Sequence, residues 1–141
     1  MKNFLLVLLL AIIFVSCKKD NTSFVIADPN SLDNATPVSA GKITFSDDRY
    51  SESAAKMYLR KDGVYVLALE QMNYETFYYD TNVYLSSGSQ LTTTSIKVAS
   101  AKKLHGTIYY PLSSGINIPA FKYLIIQADI DTAPVASATM K

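Results

Sequence analysis

Lys56-Met57-Tyr58-Leu59-Arg60-Lys61-Asp62-Gly63-Val64-Tyr65-Val66-Leu67-Ala68-Leu69 is the stretch on which the fold class turns. Asp62-Gly63 stands between two short runs rich in Tyr, Val and Leu. A glycine there supplies the positive φ that a tight hairpin turn demands. Working outward, Lys42 to Ser46 alternates, with Ile43 and Phe45 on one face. Further strands are expected at Phe77 to Leu85, Ser95 to Val98, Thr107 to Leu112, Leu124 to Asp129 and Val135 to Met140. Only Ser51 to Met57 has the makings of a helix, and it is short and lacks a sustained apolar stripe. No internal repeat is present. Short strands separated by turn residues predict an all-β, antiparallel β-sandwich rather than alternating βαβ units.

Upstream of these strands the chain has a different character. Lys2 precedes an unbroken apolar run from Phe4 to Val15, followed by Ser16 and Cys17. That run is shorter than the roughly 20 residues a bilayer span needs, and it fits the core of a secretory signal. A small residue directly before a cysteine resembles the lipobox of bacterial lipoproteins, although Phe14 stands where Leu is commonest. The resemblance implies cleavage between Ser16 and Cys17, diacylglycerol in thioether linkage on Cys17, and acylation of the new amino terminus. Membrane lipid is then a partner through Cys17, and the location is the bacterial cell envelope, membrane-anchored on the periplasmic side or at the cell surface. The competing readings are an ordinary signal peptide with an incidental cysteine and an uncleaved membrane-anchoring helix.

Lys18 to Ala40 is dominated by Asn, Asp, Ser, Thr, Ala and Pro without periodicity, and such a segment buries too little apolar surface to offset its ordering entropy. It reads as a flexible tether, against the alternative that Phe24-Val25-Ile26 adds an edge strand. The expected division is therefore residues 1–16 as signal peptide, 17–40 as lipidated amino terminus and tether, and 41–141 as the sandwich. Removing sixteen of the 141 residues leaves 125, an ordinary length for one domain. Only Lys2 is lost from the formal charge of +1, so the mature chain is neutral. Its basic clusters are limited to Lys18-Lys19 and Lys102-Lys103, so nucleic acid is not an expected partner.

Asp80-Thr81-Asn82-Val83-Tyr84-Leu85-Ser86, then Lys103-Leu104-His105-Gly106, then several later motifs from Tyr110 to Ala138 follow in an order that resembles the DM-thirteen domain, a family described as an electron-transfer domain. Asp80-Thr81-Asn82-Val83-Tyr84-Leu85-Ser86 is similar to its D-x-x-V-Y-L-S strand, and Lys103-Leu104-His105-Gly106 to its L-K-G turn. Further on, Tyr110, Leu112, Gly115-Ile116-Asn117, Leu124-Ile125-Ile126 and Ala136-Ser137-Ala138 fall on the family pattern without gaps. Gly41 and Phe45 match its opening G-x-F more weakly. The resemblance spans Gly41 to Met140 and implies an all-β sandwich. Its departures decide the chemistry. Gln127 and Ala128 stand where the family keeps Trp and its near-invariant Cys, Tyr78-Tyr79-Asp80 replaces G-P-D, and Arg49-Tyr50-Ser51 replaces the H-P region. An alanine neither ligates a metal nor forms a thiolate, so the redox role implied for the family position does not transfer to Ala128.

Other chemistries are equally thin. Zinc and c-type haem need Cys and His sets that one cysteine and one histidine do not provide. No cofactor is expected, although a b-type haem held by His105 with Met57, Met72 or Met140 is left open. No G-x-S-x-G elbow surrounds any serine. Asp47-Asp48 reads as a loop, and Asp129 with Asp131 would share a face at a strand end, where calcium is the minor reading. An enzyme is not expected. The adjacent pairs Tyr78-Tyr79 and Tyr109-Tyr110 sit in expected strands, so one ring of each pair should face outward. Outward tyrosines make a candidate binding surface, with cross-strand packing as the plainer reading. The expected function is a non-catalytic binding or assembly module for an envelope protein or glycan. The alternative is an electron-transfer accessory lacking the family cysteine.

Overall fold

A computed structural model describes residue 32 and residues 35–76 and 79–141. The protein is all-β, with eight antiparallel strands: β1 (Thr36–Phe45), β2 (Ser53–Leu59), β3 (Tyr65–Glu75), β4 (Thr81–Ser86), β5 (Ile96–Ala101), β6 (Lys103–Pro111), β7 (Tyr123–Ala128) and β8 (Ala136–Thr139). A 3-10 turn, Ile118–Ala120, lies between β6 and β7.

The spatial order is β5-β4-β7-β8-β1-β2-β3-β6. One layer holds β1, β2, β3 and β6, the other β5, β4, β7 and β8, and β1 belongs to both. It pairs with β2 over Thr36 to Ile43 and with β8 at Thr44 and Phe45. Backbone exchange between Ala40 and Lys141 adds a second link to the chain beyond β8. The two layers enclose one core. Met57, Leu67 and Leu69 face it from the first layer, and Val83, Leu85, Leu124 and Ile126 from the second. Antiparallel pairing with one face on the core explains why alternation was visible in the sequence.

The Asp-Gly hairpin forms as expected between β2 and β3. Gly63 has φ +81°, its N–H donates to Arg60 O at 3.0 Å, and Asp62 Oδ1 accepts from the Val64 N–H at 3.1 Å. A turn closed by a left-handed glycine is one of the standard hairpin connections.

Several boundaries differ from the sequence reading. Thr36 to Ala40, assigned to the tether, are the first half of β1, because their backbone pairs with Leu59 through Lys56. Ser51 to Met57 contributes to β2 and not to a helix, with Ser53, Ala55 and Met57 buried on one face at period two. The strand expected from Phe77 starts at Thr81. Residues 77 and 78 lie outside the described residues, and Tyr79 and Asp80 precede the ladder. β7 stops at Ala128, where the Asp131 N–H donates to Ala128 O and turns the chain, so Asp129 and Asp131 do not share a strand face. Lys103 to Gly106 is not a turn but the start of β6, and the corner falls one residue earlier, at Lys102. The expected signal segment, Ser16, Cys17 and Phe24-Val25-Ile26 lie outside the described residues.

Candidate functional site

Two concave places stand out. The first is a seam. β5 and β6 are consecutive in the chain yet occupy the two ends of the strand order, joined only through Lys102. The layers therefore close at one corner, where the Thr76 N–H donates to Lys102 O at 2.9 Å, and part below it. The groove between them, about 420 Å³, is lined by Ser100, Ala101, His105, Thr107, Ile108 and Tyr110, with Lys103 at its rim. Its edges are guarded against further strand pairing. Lys97, Lys102 and Lys103 are exposed, Gly106 breaks the strand with φ +72°, and Pro111 ends it. Charge, irregular backbone and proline are the usual means of keeping an edge from recruiting a strand.

The second is a cavity of about 300 Å³ at the opposite end of the sandwich, beside the start of β1. Met57 from β2, Leu85 from β4 and Met140 just after β8 form its buried floor, at 2%, 1% and 7% exposure. Ile118 and Phe121 close one wall and Tyr65 another, while Val38, 45% exposed, stands at the mouth. The β1–β2 register shifts between Pro37 and Ser39, so Val38 has no partner on β2 at the mouth, while Ser39 pairs with Met57. The lining has two charged residues, Lys122 and Lys141, and no acidic one. Both lysines grow from fixed backbone. The Lys122 N–H donates to Ser86 O at 3.1 Å, and Lys122 O accepts from the Met140 N–H at 2.8 Å. Lys141 exchanges two main-chain bonds with Ala40, each 2.9 Å.

The tyrosines named from sequence are not gathered into one surface among the described residues. Tyr109 and Tyr110 do alternate. Tyr110 lies opposite Leu67 on the core side, where burial raises its phenol above the ordinary value. Tyr109 lies opposite Ala68 on the outer face. There Tyr58, opposite Val66, and the Lys56–Glu70 pair at 2.8 Å share the same face. Together these side chains cover Val66 and Ala68, both 0% exposed, which is cross-strand packing. Tyr79, 43% exposed, sits where Thr76 Oγ1 bonds its carbonyl, at the Lys102 end of β6. Lys103 and Tyr109 are six positions apart along β6, about 20 Å at the usual rise. Tyr78 lies outside the described residues.

His105 is exposed on β6 with Nε2 at 3.7 Å from Glu75 Oε2, which also accepts Lys103 Nζ at 3.1 Å. It lies opposite Asn73, whereas its neighbour Gly106 lies opposite the buried Met72, so His105 and Met72 take opposite faces. Met57 and Met140 line the distant end cavity, and among the described residues no methionine lines the groove beside His105. Among the described residues no group of three or more His, Cys, Asp or Glu side chains is placed to hold a metal. Asp129 accepts the Asn82 side-chain amide, and Gln127 Nε2 donates to Asp131 O at 2.6 Å. Asp47 is clasped by Arg49, whose hydrogen bonds lower its carboxyl to about 2. Ala128 is buried beside Thr81 on β4 and offers only a methyl group. Its side chain supplies no ligand atom to a prosthetic group.

Compared with family models, curated proteins and solved structures, the chain matches none of them. The site therefore rests on its own geometry. Of the cavity residues, Met57 and Met140 are weighed in the sequence as haem ligands, with core packing the commoner role for a strand methionine. Nothing in their spacing of 83 positions signals that they meet. The β1 register shift beside them leaves no more trace than Pro37.

Proposed function

We propose that this protein is a lipid-anchored β-sandwich of the bacterial cell envelope that works as a non-catalytic binding module. The end cavity carries the binding half of this reading. Its floor is apolar, it is walled by both layers of the fold, and it has a few polar groups at its rim, which is how small-ligand sites are generally built. The anchoring half is supported by the apolar run Phe4 to Val15 followed by Ser16-Cys17. Two or three acyl chains on Cys17, each buried methylene contributing about 0.8 kcal/mol, hold a domain at a membrane far more firmly than one chain. The DM-thirteen-like order of motifs from Gly41 to Met140 agrees with a sandwich whose ancestral thiol position, now Ala128, is inert.

The test has two arms. Cells given an alkyne-tagged fatty acid are expected to label the wild-type protein and leave Cys17→Ala unlabelled and unprocessed. Equal labelling of both would remove the anchor. The purified protein is expected to show no visible absorption. Bands that shift on reduction would replace the binding reading with an electron-transfer one.

A further inference from the structure

We infer that the end cavity takes a small anionic amphiphile, its apolar chain against Met57, Leu85 and Met140 and its anionic head at Lys122 and Lys141. This deepens the binding reading above and rests on it. Four observations lead there.

The floor is wholly apolar, and two of its three buried side chains are methionines. Methionine is unbranched and polarizable, and it adapts to apolar guests of varied shape. A sugar or other polar ligand would lose its hydration against this surface without gaining hydrogen bonds. The charged side chains of the rim have one sign. Neither Lys122 nor Lys141 takes part in the ion pairs of the described residues, and no carboxylate side chain lines the cavity to neutralise them. The volume sets the size. About 300 Å³ corresponds to roughly ten water volumes, enough for one chain of about eight carbons and far too little for the paired chains of a phospholipid. Finally, main-chain hydrogen bonds fix the points at which both lysine side chains leave the backbone beside the floor, each ammonium remaining on its flexible four-carbon stem.

The other candidates carry less. The seam is polar-rimmed and its edges are guarded. The Asp80, Asp129 and Asn82 corner has its Asp129 carboxylate already engaged by Asn82.

The probes are octanoate and octanol, which share a chain and differ in charge. The full chain, held in phosphatidylcholine nanodiscs and carrying 13C-methyl methionine, reports binding through Met57 and Met140, while Met72, which does not line the cavity, serves as internal control. Octanoate is expected to shift the Met57 and Met140 methyl signals saturably and leave Met72 in place. Octanol should bind about three- to fivefold more weakly, the size expected for exposed lysines acting on one charge. The double variant Lys122→Gln/Lys141→Gln should abolish that difference while still binding octanol, and added salt should narrow it. Equal affinity for octanoate and octanol would overturn the anionic ligand and leave the cavity as a binding site. Unmoved Met57 and Met140 signals with both probes would overturn the cavity as well.

Discussion

Gly41 shows how one residue can be required by a contact that is remote in sequence. A β-carbon at this position would lie 2.3 Å from Thr139 O, and that oxygen belongs to backbone held in the β8 ladder. Neither strand has room to give. Gly41→Ala is expected to destabilise the protein by about 1–3 kcal/mol, the range for overpacking, measured by urea denaturation. An unchanged midpoint would show that β1 and β8 can separate there without cost. At the same scale, burial raises the phenols of Tyr58, Tyr74 and Tyr110 above the ordinary value of 10.0. The fold thus favours the neutral form of each. Their contribution is complete below the unfolded-state value near 10 and is lost as pH rises through the folded-state values. Urea midpoints should accordingly fall between pH 9 and pH 11.5, and Tyr110→Phe should flatten that fall. A midpoint just as steep in the variant would remove Tyr110 from the account.

Elements carry information that their residues do not. β3 was legible as a strand from Val64 to Leu69, but it continues to Glu75 through an irregularity between Leu69 and Met72. Gln71 absorbs the kink with φ +57°, and Gly106 answers across the ladder with φ +72°. Glycine announces such a position in sequence, whereas glutamine conceals it. A left-handed non-glycine residue costs about 1–2 kcal/mol, offset in part by the greater chain entropy of glycine. Gln71→Gly is therefore expected to stabilise by about 0.5–1 kcal/mol, and Gln71→Val to destabilise by a similar amount, both read from denaturation midpoints. The reverse order would mean that the bulge is not held in the native state.

At the scale of the whole molecule, β1 is the hinge of the design. It closes the two layers on one side, and its Val38, skipped by the β2 ladder, stands at the mouth of the end cavity. Composition placed the domain boundary at Gly41, because Thr36-Pro37-Val38-Ser39-Ala40 looks like the polar, proline-bearing stretch before it. Pairing overrides composition here: Thr36, Pro37, Ser39 and Ala40 all have partners on β2. A chain beginning at Ala35 is expected to melt cooperatively. One beginning at Gly41 should melt at least about 10 °C lower or lose cooperativity, since several ladder bonds and the Val38 wall of the cavity go with it. Circular dichroism melts of the two compare them directly, and matching curves would return Thr36 to Ala40 to the tether.

The sequence by itself determined that the protein is an antiparallel β structure, where most of its strands run, and that its hairpin turns at Asp62-Gly63. Those properties follow from local periodicity and from the conformational freedom of single residues. It also supplied the apolar run from Phe4 to Val15 and Cys17, from which an export signal and an anchor are expected. Tertiary structure alone decided that β1 is shared between two layers, that Tyr109 is absorbed into cross-strand packing, and that Met57, Leu85, Lys122 and Met140 meet around one cavity. The physical reason is the same in each case. A cavity and a shared strand are made by register between segments far apart in the chain, and no local pattern records which residues another strand will leave uncovered.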